Sequence, residues 1–472
     1  MTHHNCDICI IGGGSGGLSL AAGAAQMGAK ILLFEAGAMG GDCLNSGCVP
    51  SKALLAAAKA AYHTNGAPRM GVTGRPPQID FAAVKTHVAA VVDGIAPHDS
   101  IERFETLGVT VISEHAAFTG PLEVASKHHK VRARYFVIAS GSQPAIPPID
   151  GLSDVDFYTN ETIFADPVKP GHLVIIGGGP IGIEMAQAHA RLGVDVTVIE
   201  AVSVMARDDN ELVAMLKTQL EADSVTFIEG VSVASVIQNQ PNGITLTLAN
   251  GAVIKASHIL VATGRRPVID GLNLPAAGVK FDKIGIMTDR QLRTSNKRIY
   301  AIGDVTGRHQ FTHMASYQAS ICLRNILFKY PAKLDETAVP WVTYCDPELA
   351  HVGLTHDDAI DFWGKDNITV IKWDLADNDR ARADHRTTGM VKAVIHKNGR
   401  ILGASILAPM AGEIIQPWIL AIANRQKIAS FANMIAPYPT YGEASKRAAG
   451  NFFKAKLFGK TTQKLVRFLL KF

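Results

Sequence analysis

The feature that most restricts how this chain can fold is a supersecondary unit that occurs twice. Asp7-Ile8-Cys9-Ile10-Ile11 is an apolar strand run leading into Gly12-Gly13-Gly14-Ser15-Gly16-Gly17, an Ala-rich helical stretch and Lys30-Ile31-Leu32-Leu33-Phe34-Glu35. His172-Leu173-Val174-Ile175-Ile176 leads into Gly177-Gly178-Gly179-Pro180-Ile181-Gly182, a helix expected over 183–192, and Val194-Asp195-Val196-Thr197-Val198-Ile199-Glu200. In both copies the acid lies 18 residues after the third glycine. Strand, G-x-G-x-x-G, helix, strand, acid is the order a dinucleotide site requires. Gly12 and Gly177 permit the tight turn. Gly14 and Gly179 let backbone approach a pyrophosphate, and Gly17 and Gly182 let the helix pack close to the strand. Glu35 and Glu200 are placed to accept hydrogen bonds from a ribose. A second echo follows each copy: Phe136-Val137-Ile138-Ala139-Ser140-Gly141 and Ile259-Leu260-Val261-Ala262-Thr263-Gly264.

Between the two fingerprints runs Gly40-Gly41-Asp42-Cys43-Leu44-Asn45-Ser46-Gly47-Cys48-Val49-Pro50-Ser51-Lys52, with a helix expected over 52–61. Two thiols five residues apart stand where a loop becomes a helix. Free N–H groups and the positive end of the helix dipole favour a thiolate there. Two dinucleotide sites and a thiol pair imply an electron relay: one nucleotide delivers hydride, one stays bound, and the thiols pass electrons onward.

The other cysteines read as structural. Cys6 and Cys9 stand three apart on a strand, a spacing that points side chains to opposite faces, so no metal role is expected for them. Cys322, in an apolar helix expected over 315–328, and Cys345, in a strand-like run over 341–345, read as core. No metal site is expected from sequence. A length of 472 residues suggests about three domains. The formal net charge of +4 is small for this size and argues against nucleic acid as the main partner. No run of 18 apolar residues occurs, and no apolar signal region precedes the first strand. Six cysteines in this length fit a reducing cytosol.

These residues together resemble the pyridine nucleotide–disulfide oxidoreductases, a family that includes dihydrolipoamide dehydrogenase, glutathione reductase and mercuric reductase. The likeness rests on 12–35, 43–52, 177–200, Ile299-Tyr300-Ala301-Ile302-Gly303-Asp304 and Tyr438 to Glu443. It implies an α/β chain with two Rossmann-like dinucleotide-binding domains and a C-terminal α+β dimerisation domain. The expected parts are 1–152 with 275–338 for FAD, 153–274 for NAD(P), and 339–472 for the interface. By the same likeness Asp304 contacts the flavin ribityl chain, and the segment His313-Met314-Ala315 brings backbone N–H groups to its pyrimidine end. Cys48 is the thiol next to the flavin and Cys43 the one that meets substrate. Lys52 and Glu184 form an ion pair near flavin N5. The protein is expected to be a homodimer.

One motif departs from the family. The pattern His-Pro-Thr-x-x-Glu reads here Tyr438-Pro439-Thr440-Tyr441-Gly442-Glu443. In relatives the His is acid–base for a dithiol and the Glu orients it. A phenol with a pKa of about 10 is a poor base at neutral pH, whereas imidazole near 6.5 is a good one. Tyrosine here resembles mercuric reductase, as does the following Glu443-x-x-Lys446-x-Ala448-Ala449. Two mercuric reductase features are not found: a C-terminal cysteine pair and an N-terminal metal-binding domain. The expected reaction runs from NAD(P)H through FAD and Cys43–Cys48 to a disulfide or thiol-bound metal, with dihydrolipoamide dehydrogenase as the alternative. Glu200 favours NAD(H) over NADP(H), because a carboxylate repels a 2′-phosphate. Arg207 matches an arginine of NADPH-using relatives.

From Lys446 to Phe472 there are eight basic residues and no acidic one. This basic amphipathic end fits a terminal helix docked on its own dimer. It also fits peripheral contact with the inner membrane surface by an otherwise cytoplasmic protein. In the second case the function class would be a membrane-surface NADH-linked electron-transfer flavoprotein with a quinone or protein acceptor.

Overall fold

The computed structural model describes every residue except 65, 68–69 and 240–242. Both repeated units form the elements their hydrophobic pattern implies. Strands Ile31–Phe34 and Val109–Ile112 lie on one side of Thr2–Ile11 and His129–Ile138 on the other, all parallel. Strand Ile299–Ala301 joins this sheet beside His129–Ile138, although 160 residues separate Ile299 from Ala139. In the second unit Val225–Glu229, Asp195–Glu200, His172–Ile176 and His258–Val261 lie side by side in parallel. The strands of both sheets are nearly continuous apolar runs, as parallel strands covered on both faces require. Leu173, Val174, Ile175, Ile8 and Ile10 are fully buried.

The two echoed segments meet. Ser142–Pro144, which follows Gly141, pairs antiparallel with Arg265–Pro267, which follows Gly264. Beyond 339 an antiparallel sheet runs Pro340–Thr343, Glu348–Gly353, Ile401–Ala408, Met390–His396, Ile368–Asp374. The helices Gln416–Ala423 and Glu443–Leu457 cover it, with Trp418 completely buried and stacked on Phe431 at 4.0 Å.

Three helices begin earlier than the sequence pattern predicts. The helix of the thiol run spans Cys48–Thr64 rather than starting at Lys52. Pro50 falls in its first turn, where a missing N–H costs nothing. The second fingerprint helix spans Pro180–Arg191, with Pro180 at its first position. The third spans Thr312–Leu327 rather than starting at Ala315.

Cys6 and Cys9 depart from simple alternation. Cys9 is fully buried, and Cys6 packs against the same apolar cluster. On the paired strand Ala133 and Phe136, also three apart, share that cluster. The amides of Asp7 and Ile8 both donate to Lys30 O, at 2.9 and 3.3 Å. The strand is irregular at Asp7, which brings both cysteines to one face. Burial raises both thiols well above their ordinary range, Cys6 to about 12. Among the described residues no cluster of three or more His, Cys, Asp or Glu side chains forms a metal site. No helix there is long and apolar enough to cross a membrane. Cys322 is fully buried in its helix, and Cys345 is buried just beyond the strand Pro340–Thr343.

Candidate active site

The two glycine turns are near copies in three dimensions. Gly12 adopts φ +112° and Gly177 φ +115°. A Cβ on Gly17 would lie 1.9 Å from Gly12 O, and one on Gly182 2.1 Å from Gly177 O. Gly179 has open space where a Cβ would point, and Gly14 meets only Gly41 Cα at 3.8 Å. Each turn therefore closes tightly on its own strand and leaves its outer face free for a ligand. Helices Ser15–Gln26 and Pro180–Arg191 start at these turns, so their free N–H groups and dipoles face an anion site.

The acids carry a duty that their spacing alone does not reveal. Glu35 accepts from the amides of Gly13 and Gly37, and Glu200 accepts from those of Gly178 (2.7 Å) and Val202 (3.0 Å). Each carboxylate ties its strand end to the glycine turn and keeps lone pairs for a ribose.

One cavity of about 1750 Å³ joins both turns. A single small ligand fills roughly 300–1,000 Å³, so this space suits more than one. Gly14, Glu35, Gly179 and Glu200 line its far parts, and Cys43, Cys48, Lys52 and Glu184 line the region between. The residues fit a flavin dinucleotide. Besides the first turn, Asp304 stands in the cavity wall with its carboxyl pushed up by burial and held by Ser142 Oγ at 2.6 Å.

Met314 and Ala315 need a correction. Both amides donate to Phe311 O, at 3.0 and 3.1 Å, because the helix begins at Thr312. Their N–H groups are spent inside the helix. Ala315 lines the cavity, while Met314 packs into the core. Thr312 is the residue of this turn that reaches the thiols.

Cys43 sits in the short helix Gly41–Asn45 and Cys48 at the first position of Cys48–Thr64. A hydrogen bond from the Cys43 thiol holds Cys48 down at about 6. Burial opposes this, while Thr312, whose Oγ1 lies 3.5 Å from Cys48 Sγ, and the Lys52 charge reinforce it. Cys43, the donor of that bond, is pushed well up. The pair is asymmetric: one sulfur is a thiolate at neutral pH and the other holds the proton.

Lys52 Nζ lies 2.8 Å from Glu184 Oε2. Burial works against the ammonium, but the Glu184 carboxylate wins and its pKa lies above the ordinary lysine value. Glu184 also accepts from Tyr344 N at 2.9 Å, and the Tyr344 ring lies 4.5 Å from Lys52 Nζ. The thiol loop is fastened from the other side. Arg265 donates to Ser142 Oγ (2.7 Å) and lies 3.2 Å from Asp42. Asn160 donates to Asp42 Oδ1 (2.8 Å) and Ser46 O (3.1 Å). A Cβ on Gly41 would lie 2.8 Å from Gly14 Cα, so this glycine lets the thiol loop press onto the first turn. Sequence reasoning did not single out Asp42, Asn160, Ser142, Arg265, Thr312 or Tyr344. A signal existed for two of them, since Ser142 and Arg265 occupy matching places in the echo.

Tyr438 and Glu443 stand apart from the thiols in this chain. Neither lines the cavity. Tyr438 is 66% exposed, and its phenol donates to Asp379 at 2.9 Å. That bond raises its pKa above the ordinary phenol value. Glu443 is buried and accepts from Arg447 Nε at 2.8 Å, so it does not orient Tyr438 here.

Known proteins agree with this geometry. Residues 6–319 match the pyridine nucleotide-disulphide oxidoreductase family, and 339–449 match the dimerisation domain of that family. A mercuric reductase of Streptomyces lividans is 35% identical over 463 residues, covering 96% of this chain and 97% of that protein. A dihydrolipoyl dehydrogenase of Geobacillus stearothermophilus is 33% identical over 459 residues, covering 93% and 94%. The Cu(II) complex of the HOCl-induced flavoprotein disulfide reductase RclA from Escherichia coli superposes with a TM-score of 0.85 at 26% identity, covering 93% of this chain and 99% of that one. The chain belongs to the pyridine nucleotide–disulfide oxidoreductase family and is an oxidoreductase of that kind.

Proposed function

We propose that this oxidoreductase passes electrons from NADH to a thiol-bound metal ion, using Cys43 and Cys48 as its redox pair. The observation that carries this reading is the separation of Tyr438 from any base role. Its phenol already donates to Asp379, its pKa is raised, and Glu443 is engaged by Arg447. Oxidising a dithiol needs a base to take its proton, whereas displacing a ligand from a metal with a thiolate does not. The names of the relatives point the same way, with mercury in one and Cu(II) in another. The match to the Streptomyces lividans mercuric reductase runs over 97% of that protein's length, so the likeness takes in its whole chain.

Bound FAD would supply two-electron exchange between nicotinamide and sulfur. The first turn, Glu35 and Asp304 would hold it, and 1–152 with 275–338 would form its domain. The second turn and Glu200, within 153–274, would hold NADH. Glu200 would repel a 2′-phosphate, although Arg207 also lines the cavity. Cys48 provides a thiolate at neutral pH. Cys43 holds the proton and faces the acceptor. The Lys52–Glu184 pair keeps a cation beside the thiolate. Residues 339–472 would pair two copies as a homodimer, bringing each Tyr438 toward the thiols of the other copy.

The test is acceptor-dependent NADH oxidation by the FAD-loaded protein. Turnover with thiol-complexed Hg(II) or Cu(II), abolished in Cys48→Ser, is expected. NAD⁺ reduction by dihydrolipoamide at a rate typical of a working dehydrogenase, with no turnover on either metal, would overturn the reading.

A further inference from the structure

Outside the active site, the helix Lys460–Leu469 buries none of its residues. At 100° per residue Leu465, Val466, Phe468 and Leu469 share one side, while Lys460, Lys464 and Arg467 share the opposite one. Leu465, Phe468 and Leu469 are each at least 55% exposed, and Phe458, just before the helix, is 69% exposed. Thr462 Oγ1 donates to Lys456 O at 2.7 Å and Gln463 Nε2 to Phe458 O at 2.9 Å, which fixes the turn into the helix. The apolar side is thus held open rather than folded back onto its own chain.

Charge selects the occupant. The eight cations from Lys446 onward face no acid in that segment, while the rest of the chain holds 38 Lys and Arg against 42 Asp and Glu. Arg447 pairs with Glu443. Among the described residues the other seven have no carboxylate within 4.0 Å. A contact between two copies through the apolar side would leave the cations turned outward with no carboxylate to meet them. An anionic lipid surface accepts both sides of the helix: acyl chains take the apolar face, and headgroups take the flanking cations.

We infer that Lys460–Leu469, with Phe458, is a docking helix that lays this oxidoreductase on an anionic membrane surface. The inference is independent of the acceptor proposed above, because it concerns binding and not turnover.

Flotation of the FAD-loaded full chain tests it, with phosphatidylcholine vesicles that contain or lack phosphatidylglycerol. The bound fraction should be about tenfold higher on the anionic vesicles and should fall as salt screens the charges. Leu465→Glu with Leu469→Glu should abolish binding, and Lys464→Glu with Arg467→Glu should reduce it about tenfold, both at unchanged flavin content and NADH oxidation. Failure of the parent chain to float on anionic vesicles would overturn the inference. So would a charge-reversed variant that floats as well as the parent. Sedimentation without lipid closes the test: if Leu465→Glu with Leu469→Glu halves the mass of the particle, a second copy covers the helix and the inference fails.

Discussion

The two nucleotide turns are alike in backbone and differ in what each is tied to. Gly12 and Gly177 share a φ within a few degrees, and Glu35 and Glu200 brace their turns through equivalent amides. Each turn takes one further backbone bond, Gly13 O accepting from Gly40 N and Gly178 O from Met205 N, both at 2.9 Å, but only the first is pressed by the thiol loop, where Gly41 packs on Gly14. At the second turn the space where a Gly179 Cβ would point is open, and the helix that follows sends Glu184 out to Lys52. A duplicated motif can therefore keep its backbone and still differ in its neighbours: the thiol loop lies against the first turn and not against the second.

The sharpest way to break this comparison is to add one methyl to each turn. A Cβ at Gly12 would lie 2.3 Å from Ala139 O, and one at Gly177 2.4 Å from Ala262 O, both at positive φ. Gly12→Ala should yield protein without flavin by absorbance. Gly177→Ala should keep its flavin and raise the KM for NADH by about tenfold or more. Equal flavin loss in both would mean that the turns are not functionally distinct.

A smaller effect probes the seam between the units. Arg265→Gln removes a mostly buried guanidinium from Ser142 and Asp42. A loss of about 2–3 kcal/mol is expected from leaving these partners, read as a lower melting temperature of the flavin-loaded protein. An unchanged melting temperature would show that the thiol loop is held by the first unit alone.

Glu200→Gln should raise the ratio of kcat/KM for NADPH to that for NADH by about tenfold, because one repulsive charge is lost. Glu35→Gln should leave that ratio unmoved.

The smallest effect concerns the thiolate. Alkylation of the reduced protein should show a midpoint of about 6, with Cys48 reactive above it and protonated below it. Because folding depresses this pKa, the thiolate stabilises the reduced fold fully above the ordinary thiol range and loses that contribution as pH falls through about 6. Thr312→Val should move the midpoint up by about half a pH unit. A midpoint in the ordinary thiol range for the parent chain would contradict the asymmetry of the pair.

Local chemistry made much of this legible. The fingerprint glycines could be named from sequence because each answers to a neighbour a few residues away: Gly17 closes on Gly12, and Gly182 on Gly177. The thiol pair was legible for the same reason, although its helix starts four residues earlier than expected. The misread places depend on register or on a distant segment. Cys6 and Cys9 share a face only because the strand is irregular at Asp7. Met314 and Ala315 lose their free amides because Phe311 O accepts both. Glu443 meets Arg447 one turn along its own helix, where the motif alone suggested Tyr438.

By itself the sequence determined that the chain builds two dinucleotide turns, two bracing acids and a thiol pair at a helix start. Those features follow from steric and hydrogen-bonding needs within short windows. The tertiary structure decided what they serve together. Lys52 and Glu184 are 132 residues apart, and Asp42 and Arg265 are 223 apart. The parallel sheets bring these segments side by side, and charge pairing in a partly buried cavity makes the contacts favourable. It also decided that Tyr438 turns to Asp379, because the fold sets that carboxylate within hydrogen-bonding reach of the phenol.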